Sequence, residues 1–391
     1  MNHRPRIAAL AAALAALTFG EAARAADYGQ LERWRSYTGV TWEASAGTPF
    51  ADSASAPIAG LHTDAQGRYF VSTPRWMSAR VPSTLNLLDT GPTSGPARLT
   101  AFPSAAANAL DAAPGAALRS VLGFYVDRTN GWLWALDMGY VAGEGEAPAG
   151  GQKVVILDLR SGAEVRRIAL DAVADRKASF LNDIVVDEKR QVAYIADSGV
   201  RGNDAGLIVA DLAGGTVRRV LDRAAAVQPE PGAKVVSHGL DVLPEHPLNI
   251  GINGIALSPD AATLYWTVTS GTHLHAVPTA ILRDAHAGDG QIAAQVQTLG
   301  DVGGNSDGIA VDRRGNVLVT NLTNNGIVEY SQRSHAARLI ASDDRIHWPD
   351  TLTELSDGDF LFTSSGLNEH FMGAIQAGNE NYDIWRLPRK P

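Results

Sequence analysis

The sequence predicts an all-β protein, a six-bladed β-propeller. Three observations carry that prediction. Helical periodicity is scarce, short alternating apolar runs bounded by Gly, Asp or Asn recur along the chain, and the recurrence comes in six copies. The recurring unit is a glycine or small polar residue, an apolar strand ending near Asp, a tight turn, and a second apolar strand. Further strands follow most copies, and four strands per unit in six units make a ring of blades around a channel.

Taken in order, residues 1–25 read as a Sec-type signal peptide. Arg4 and Arg6 form the basic start, Ile7 to Phe19 is an apolar stretch, and Ala23-Arg24-Ala25 is a cleavage site. The stretch falls short of the roughly 20 residues a membrane span needs, and no Arg pair marks the twin-Arg route. The expected mature chain, 26–391, is a single propeller domain, secreted or periplasmic. Leu31 to Trp42 is expected to supply an outer strand that closes the ring against the last blade.

The first two copies open at Gly60-Leu61-His62-Thr63-Asp64 and Gly123-Phe124-Tyr125-Val126-Asp127. The next two open at Asn182-Asp183-Ile184 and Asn253-Gly254-Ile255, and the last two at Asp307-Gly308-Ile309 and Asp350-Thr351-Leu352. Asp64-Ala65-Gln66-Gly67, Asp312-Arg313-Arg314-Gly315 and Ser356-Asp357-Gly358 are hairpin turn signals. Two segments leave the strand pattern: a Pro-rich insertion over 228–248 and a short helix expected over 279–287. Trp132, Trp134 and Trp266 alternate with strand period and are expected to pack between blades.

Composition excludes several classes. With 45% hydrophobic and 19% charged residues, the chain is not a disordered one. The absence of Cys removes disulfides, thiolate metal sites, iron–sulfur clusters and a Cys nucleophile. A formal charge of −9 argues against nucleic-acid or anionic-membrane partners, and loss of the basic leader makes the remainder more acidic still. No Gly-x-Ser-x-Gly elbow, His-Glu-x-x-His, phosphate-binding loop or dinucleotide fingerprint occurs.

The segments FVSTPRWMSARVPSTL (70–85), WLWALDMG (132–139), FLNDIVVD (180–187), GINGIALSPDAATLYW (251–266) and WPDTLTEL (348–355) carry a family resemblance. In that order they resemble the yellow/major royal jelly protein family. The resemblance implies a secreted six-bladed propeller. Some insect members are linked to dopachrome conversion in melanin formation, and others bind biogenic amines in the central channel. A weaker resemblance is to the regucalcin/gluconolactonase propellers, whose channel metal is held by one Glu, two Asn and one Asp. Asn182, Asn253 and Asp307 match three of those positions in blade order, and Gly60 stands where the Glu is expected.

Innermost strands of a propeller begin at one rim of its channel, so Asn182, Asn253, Asp307 and Asp350 are expected to form a ring. Converging carbonyl and carboxylate oxygens suit Ca²⁺ or another hard divalent cation rather than Zn²⁺. In that reading Asn182, Asn253 and Asp307 hold the metal and Asp307 serves as catalytic base towards water. His62 and His238 are further ligand-binding candidates, Arg75 and Trp76 candidates for the channel entrance. Short polar residues at strand starts also form ordinary turns, so both readings stand. Two functions follow: a module binding a small cationic or aromatic molecule in its channel, or a metal-dependent lactonase-like hydrolase or dopachrome-type isomerase.

Overall fold

A computed structural model describes residues 27–43 and 50–390; the expected signal peptide lies outside the described residues. Six four-stranded antiparallel blades follow one another around an axis, four of them separate sheets and two joined in one eight-stranded sheet. Blade 1 is Leu61–Thr63, Tyr69–Ser72, Leu85–Asp89 and Ser94–Ala101. Blade 2 is Val121–Asp127, Trp132–Asp137, Lys153–Asp158 and Glu164–Ala169. Blade 3 is Leu181–Asp187, Val192–Asp197, Gly206–Asp211 and Thr216–Val220. Blade 4 is Ile252–Leu257, Thr263–Val268, His273–Pro278 and Gln297–Asp301. Blade 5 is Ile309–Val311, Val317–Asn321, Gly326–Ser331 and Ala336–Ser342. Blade 6 takes three strands from the end of the chain, Pro349–Glu354, Phe360–Ser364 and Tyr382–Leu387, and its outer strand from the start, Glu32–Trp42.

That outer strand closes the ring as expected, and does so twice. It pairs antiparallel with Tyr382–Leu387, then parallel with Ser94–Ala101 of blade 1. Blades 1 and 6 thereby share one continuous sheet, and two edges that would invite aggregation are covered. Arg33 fixes the seam with two hydrogen bonds to the buried Asp383 carboxylate, at 2.7 and 2.9 Å.

The Asp that ends the inner strands of blades 1, 2, 3 and 5 is turn chemistry. The Asp64 carboxylate accepts the N–H groups of Gln66 and Arg68, and that of Asp312 accepts those of Arg314 and Asn316. Gly67 and Gly315 then supply the left-handed backbone, at φ 75° and 84°. Asp127 and Asp187 bind their own turns likewise. Core clusters lie between successive blades. Trp134 and Trp266 are fully buried in two of them, while Trp132 is half-buried. Truncating either buried Trp to Ala would cost about 3–5 kcal/mol.

The predicted helix is shorter than expected, Thr279–Arg283, with a second at Asp289–Ala293. Within the insertion a small hairpin forms from Val236–Ser237 and Leu240–Asp241. Arg75 is a structural anchor. Its buried guanidinium donates to the carbonyls of Val81, Pro82, Asn108, Leu118 and Arg119, which ties blade 1 to blade 2.

Candidate functional site

The six inner strands pack against one another around the axis, and strand register identifies equivalent positions. Leu61, Phe124, Ile184, Ile255, Ile309 and Leu352 each face the corresponding residue of their blade's second strand. Two residues upstream stand Ala59, Leu122, Asn182, Asn253, Asp307 and Asp350. The polar ring therefore belongs to blades 3–6, and blades 1 and 2 complete it with apolar residues. Ala59, not Gly60, occupies the position equivalent to Asn182, so the carboxylate expected in blade 1 is absent in either alignment.

The intervening positions explain why the channel is this narrow. Gly123 and Gly254 lie so close to the next inner strand that a Cβ would meet the Asn182 and Asp307 carbonyl oxygens at 2.3 Å. Blade 3 has Asp183 at this position. Pairing slips between Leu181 and Ile184, which frees consecutive residues from strict alternation. Asp183 accordingly reaches over to blade 4, where it accepts the Ile255 N–H at 3.2 Å, and it also accepts the Ile184 N–H at 2.8 Å.

A cavity of about 720 Å³ occupies the channel, within the range of about 300–1,000 Å³ usual for small-molecule sites. Its inner end is formed by Asn182, Asp183, Asn253 and Asp350. Its open mouth lies at the strand ends, among Arg128, Glu188, Lys189 and Asp260. Between them the wall is aliphatic, including Ile184, Val186, Ile255 and Leu257, with Tyr125 and Phe360 as aromatic members.

The opposite, strand-start end is covered. Val235 and Val242 of the insertion pack on Leu322, Trp348 and Leu367, with Trp76, Leu243 and Leu248 at the margin. Asp307 sits between this cover and the cavity floor and does not line the cavity. Asn253 donates its amide to Asp307 and to the Thr269 hydroxyl, and the Trp348 indole donates to the other Asp307 oxygen at 2.5 Å. Trp348 holds this pose at φ 55°, a left-handed conformation costly for a bulky side chain.

Three carboxylates thus gather, and among the described residues none of them is paired with a cation. Burial pushes Asp307 up to about 6, against the hydrogen bonds from Trp348 and Asn253 that favour its charge. Burial, with some repulsion from Asp307, pushes Asp183 up to about 7. Asp350 is driven well above the carboxylate range by burial and then by Asp307 and Asp183.

The expected residues separate into three groups. Asn182, Asn253, Asp350 and His62 line one cavity, and Asp307 backs it. His62 packs edge-on to Phe124 at 5.0 Å, and burial, helped by the Arg128 charge, lowers it to about 3, so it is neutral at pH 7. His238 stands apart on the covered side, bonded to the Ile346 carbonyl at 3.0 Å and 4.3 Å ring-to-ring from His347. Asp183 and Trp348 were not singled out from sequence, although each adjoins a motif that was. Asp183 and Thr351 are the two positions at which the inner-strand glycine pattern breaks.

A divalent cation fits this donor set poorly. Both Asp307 oxygens already accept hydrogen bonds, and Asn253 turns its N–H₂ end towards Asp307. Among the described residues no group of three His, Asp or Glu side chains is placed to hold one ion.

Sheets, ring closure and a ligand-sized axial cavity define a six-bladed β-propeller. The chain belongs to the major royal jelly protein family, whose sequence model matches residues 119–390. No curated protein matches it. Among solved structures it is similar to a gluconolactonase from Xanthomonas campestris, at 15% identity and TM-score 0.49, over 86% of this chain and 87% of that one. A putative gluconolactonase (11%, TM-score 0.48, 86% and 89%) and a luciferin-regenerating enzyme (13%, TM-score 0.44, 85% and 91%) are also similar. None of these likenesses bears on what this chain does.

Proposed function

We propose that this is an exported propeller that binds a small organic cation in its central channel, entering from the strand-end mouth. One observation carries the reading: Asp183 and Asp350 stand at the inner end of a ligand-sized cavity with no cation among the described residues to balance them. Burying carboxylates without a counter-charge is unfavourable, and a bound ammonium group offsets that cost. The aliphatic and aromatic walls then receive the body of the ligand. Burial pushes Asp183 up to about 7 and drives Asp350 well above the carboxylate range, so cation binding displaces protons and strengthens as pH rises.

The reading supports binding rather than hydrolysis. A general base must come within hydrogen-bond reach of the attacking water, and Asp307 is screened from the cavity by its own partners. Calorimetry with primary amines and quaternary ammonium compounds is the test. Affinity is expected to rise at least about fivefold from pH 6 to pH 8, and Asp183→Asn and Asp350→Asn are each expected to lower it about tenfold or more. Affinity indifferent to pH and to both substitutions, or turnover of a lactone panel, would overturn the proposal.

A further inference from the structure

The insertion carries a second device. Its base is fastened to blade 4: the Glu230 carboxylate accepts the N–H groups of Thr272 and His273 at 3.1 Å each and bonds the His273 ring at 2.8 Å. Its tip is the hairpin across Ser237 and Leu240, with His238 at φ 51° and Gly239 at φ 73°. Two left-handed residues suit such a tight turn, but the first is normally Asn, Asp or Gly. A histidine in that place has its ring held by the surroundings.

Those surroundings belong to blades 5 and 6. His238 Nε2 bonds the Ile346 carbonyl, and its Nδ1 lies 3.3 Å from the Asn325 amide nitrogen. This fits a neutral ring that donates at Nε2 and accepts at Nδ1. The ring lies 4.3 Å from that of His347, tilted by 34° to it, and His347 in turn bonds Glu369 at 2.5 Å. The Val236 N–H donates to the Asn305 side chain at 3.0 Å. Beneath these contacts Val235 and Val242 cover Trp348, the residue that holds Asp307.

We propose that the hairpin is a lid over the strand-start side of the channel, latched by His238 and released when the His238 ring takes up a second proton. The Asn325 amide can turn to meet a second proton on His238. His347 is held by its bond to Glu369, and 4.3 Å away it disfavours a positive charge on the His238 ring. The acidic groups facing the pair are Glu369, already bound to His347, Asp344, and Asp383, already bound to Arg33. Lys234 and Asp241, on the hairpin itself, pair with each other. Burial and His347 both disfavour the protonated His238 ring in the closed state, so protons favour the open one. Opening bares Trp348 and Asp307, behind the floor of the cavity. The latch does not rest on the binding proposal above.

Hydrogen exchange of the whole protein at pH 7.5 and pH 5 reads the latch directly. After correction for intrinsic rates, the amides of Val236 and Val242 are expected to lose protection at least about tenfold at pH 5, with the blades unchanged. His238→Asn suits the turn and does not titrate, so it is expected to abolish the pH dependence. His347→Gln removes the like charge and is expected to shrink it. Protection unchanged in the parent, a loss that persists in His238→Asn, or a loss shared by whole blades would overturn the proposal.

Discussion

Asp183 shows how one carboxylate ties stability to function. Its usual value near 3.8 is raised to about 7 in the folded protein, chiefly by burial. Between those values the native state holds a proton that the unfolded chain has lost. The stabilisation is therefore full below about pH 4 and disappears as pH rises through 7. Thermal melts from pH 5 to pH 8 are expected to show a decline that Asp183→Asn reduces. Lys153 presents the opposite case. Its buried ammonium is paired at 2.7 Å with the buried Asp137, whose oxygens also accept the N–H groups of Arg119, Ser120 and Gly139. Lys153→Met leaves that charge without its cation and is expected to cost about 3–5 kcal/mol in chemical denaturation. Asp137 and Asp197 end equivalent strands in this way, Asp197 binding Phe180 N–H and Arg219, so both loop-end carboxylates serve the fold.

At the scale of elements, the inner strands do two jobs. Their starts carry the polar ring, and glycines beside that ring let the strands approach closely. Gly254→Ala would drive a Cβ into a backbone carbonyl of blade 5. It is expected to destabilise by about 1–3 kcal/mol or more, measurable by urea unfolding, whereas Gly131→Ala, with open space around it, meets only the strain of a positive φ. Pairing also slips at the starts of the inner strands of blades 2, 3, 4 and 6. Alternation read from sequence counts every second residue inward. It found Asn182 and Asn253 at these slips but passed over Asp183, because a slip changes which residue faces the channel and depends on pairing with a distant strand.

For the whole molecule, closure decides stability. Without disulfides, the ring is held by inter-blade packing and by Glu32–Trp42, which joins first blade to last. A chain lacking 27–42 is expected to lose its cooperative melt and to aggregate through the exposed edges, which calorimetry and size-exclusion chromatography would detect. Excess Ca²⁺ or Mg²⁺ is expected to leave Tm unchanged, since Asp307 is already satisfied by Asn253 and Trp348; a saturable rise would place an ion in the channel.

The six-fold recurrence, the turn residues and the closing strand were legible in the chain because each rests on local chemistry: alternation, Asx turns and glycine at tight bends. So was the polar character of blades 3–6 at the rim. Only the tertiary structure decided which of those residues meet. It set Asp307 behind the cavity rather than on its wall, placed His238 against blades 5 and 6 on the covered side, and brought Asp183 and Asp350 together from blades 3 and 6. Those relations depend on the packing of whole blades around the axis and on a cover folded over one mouth. No local pattern encodes them, because each is a distance between residues far apart in the chain.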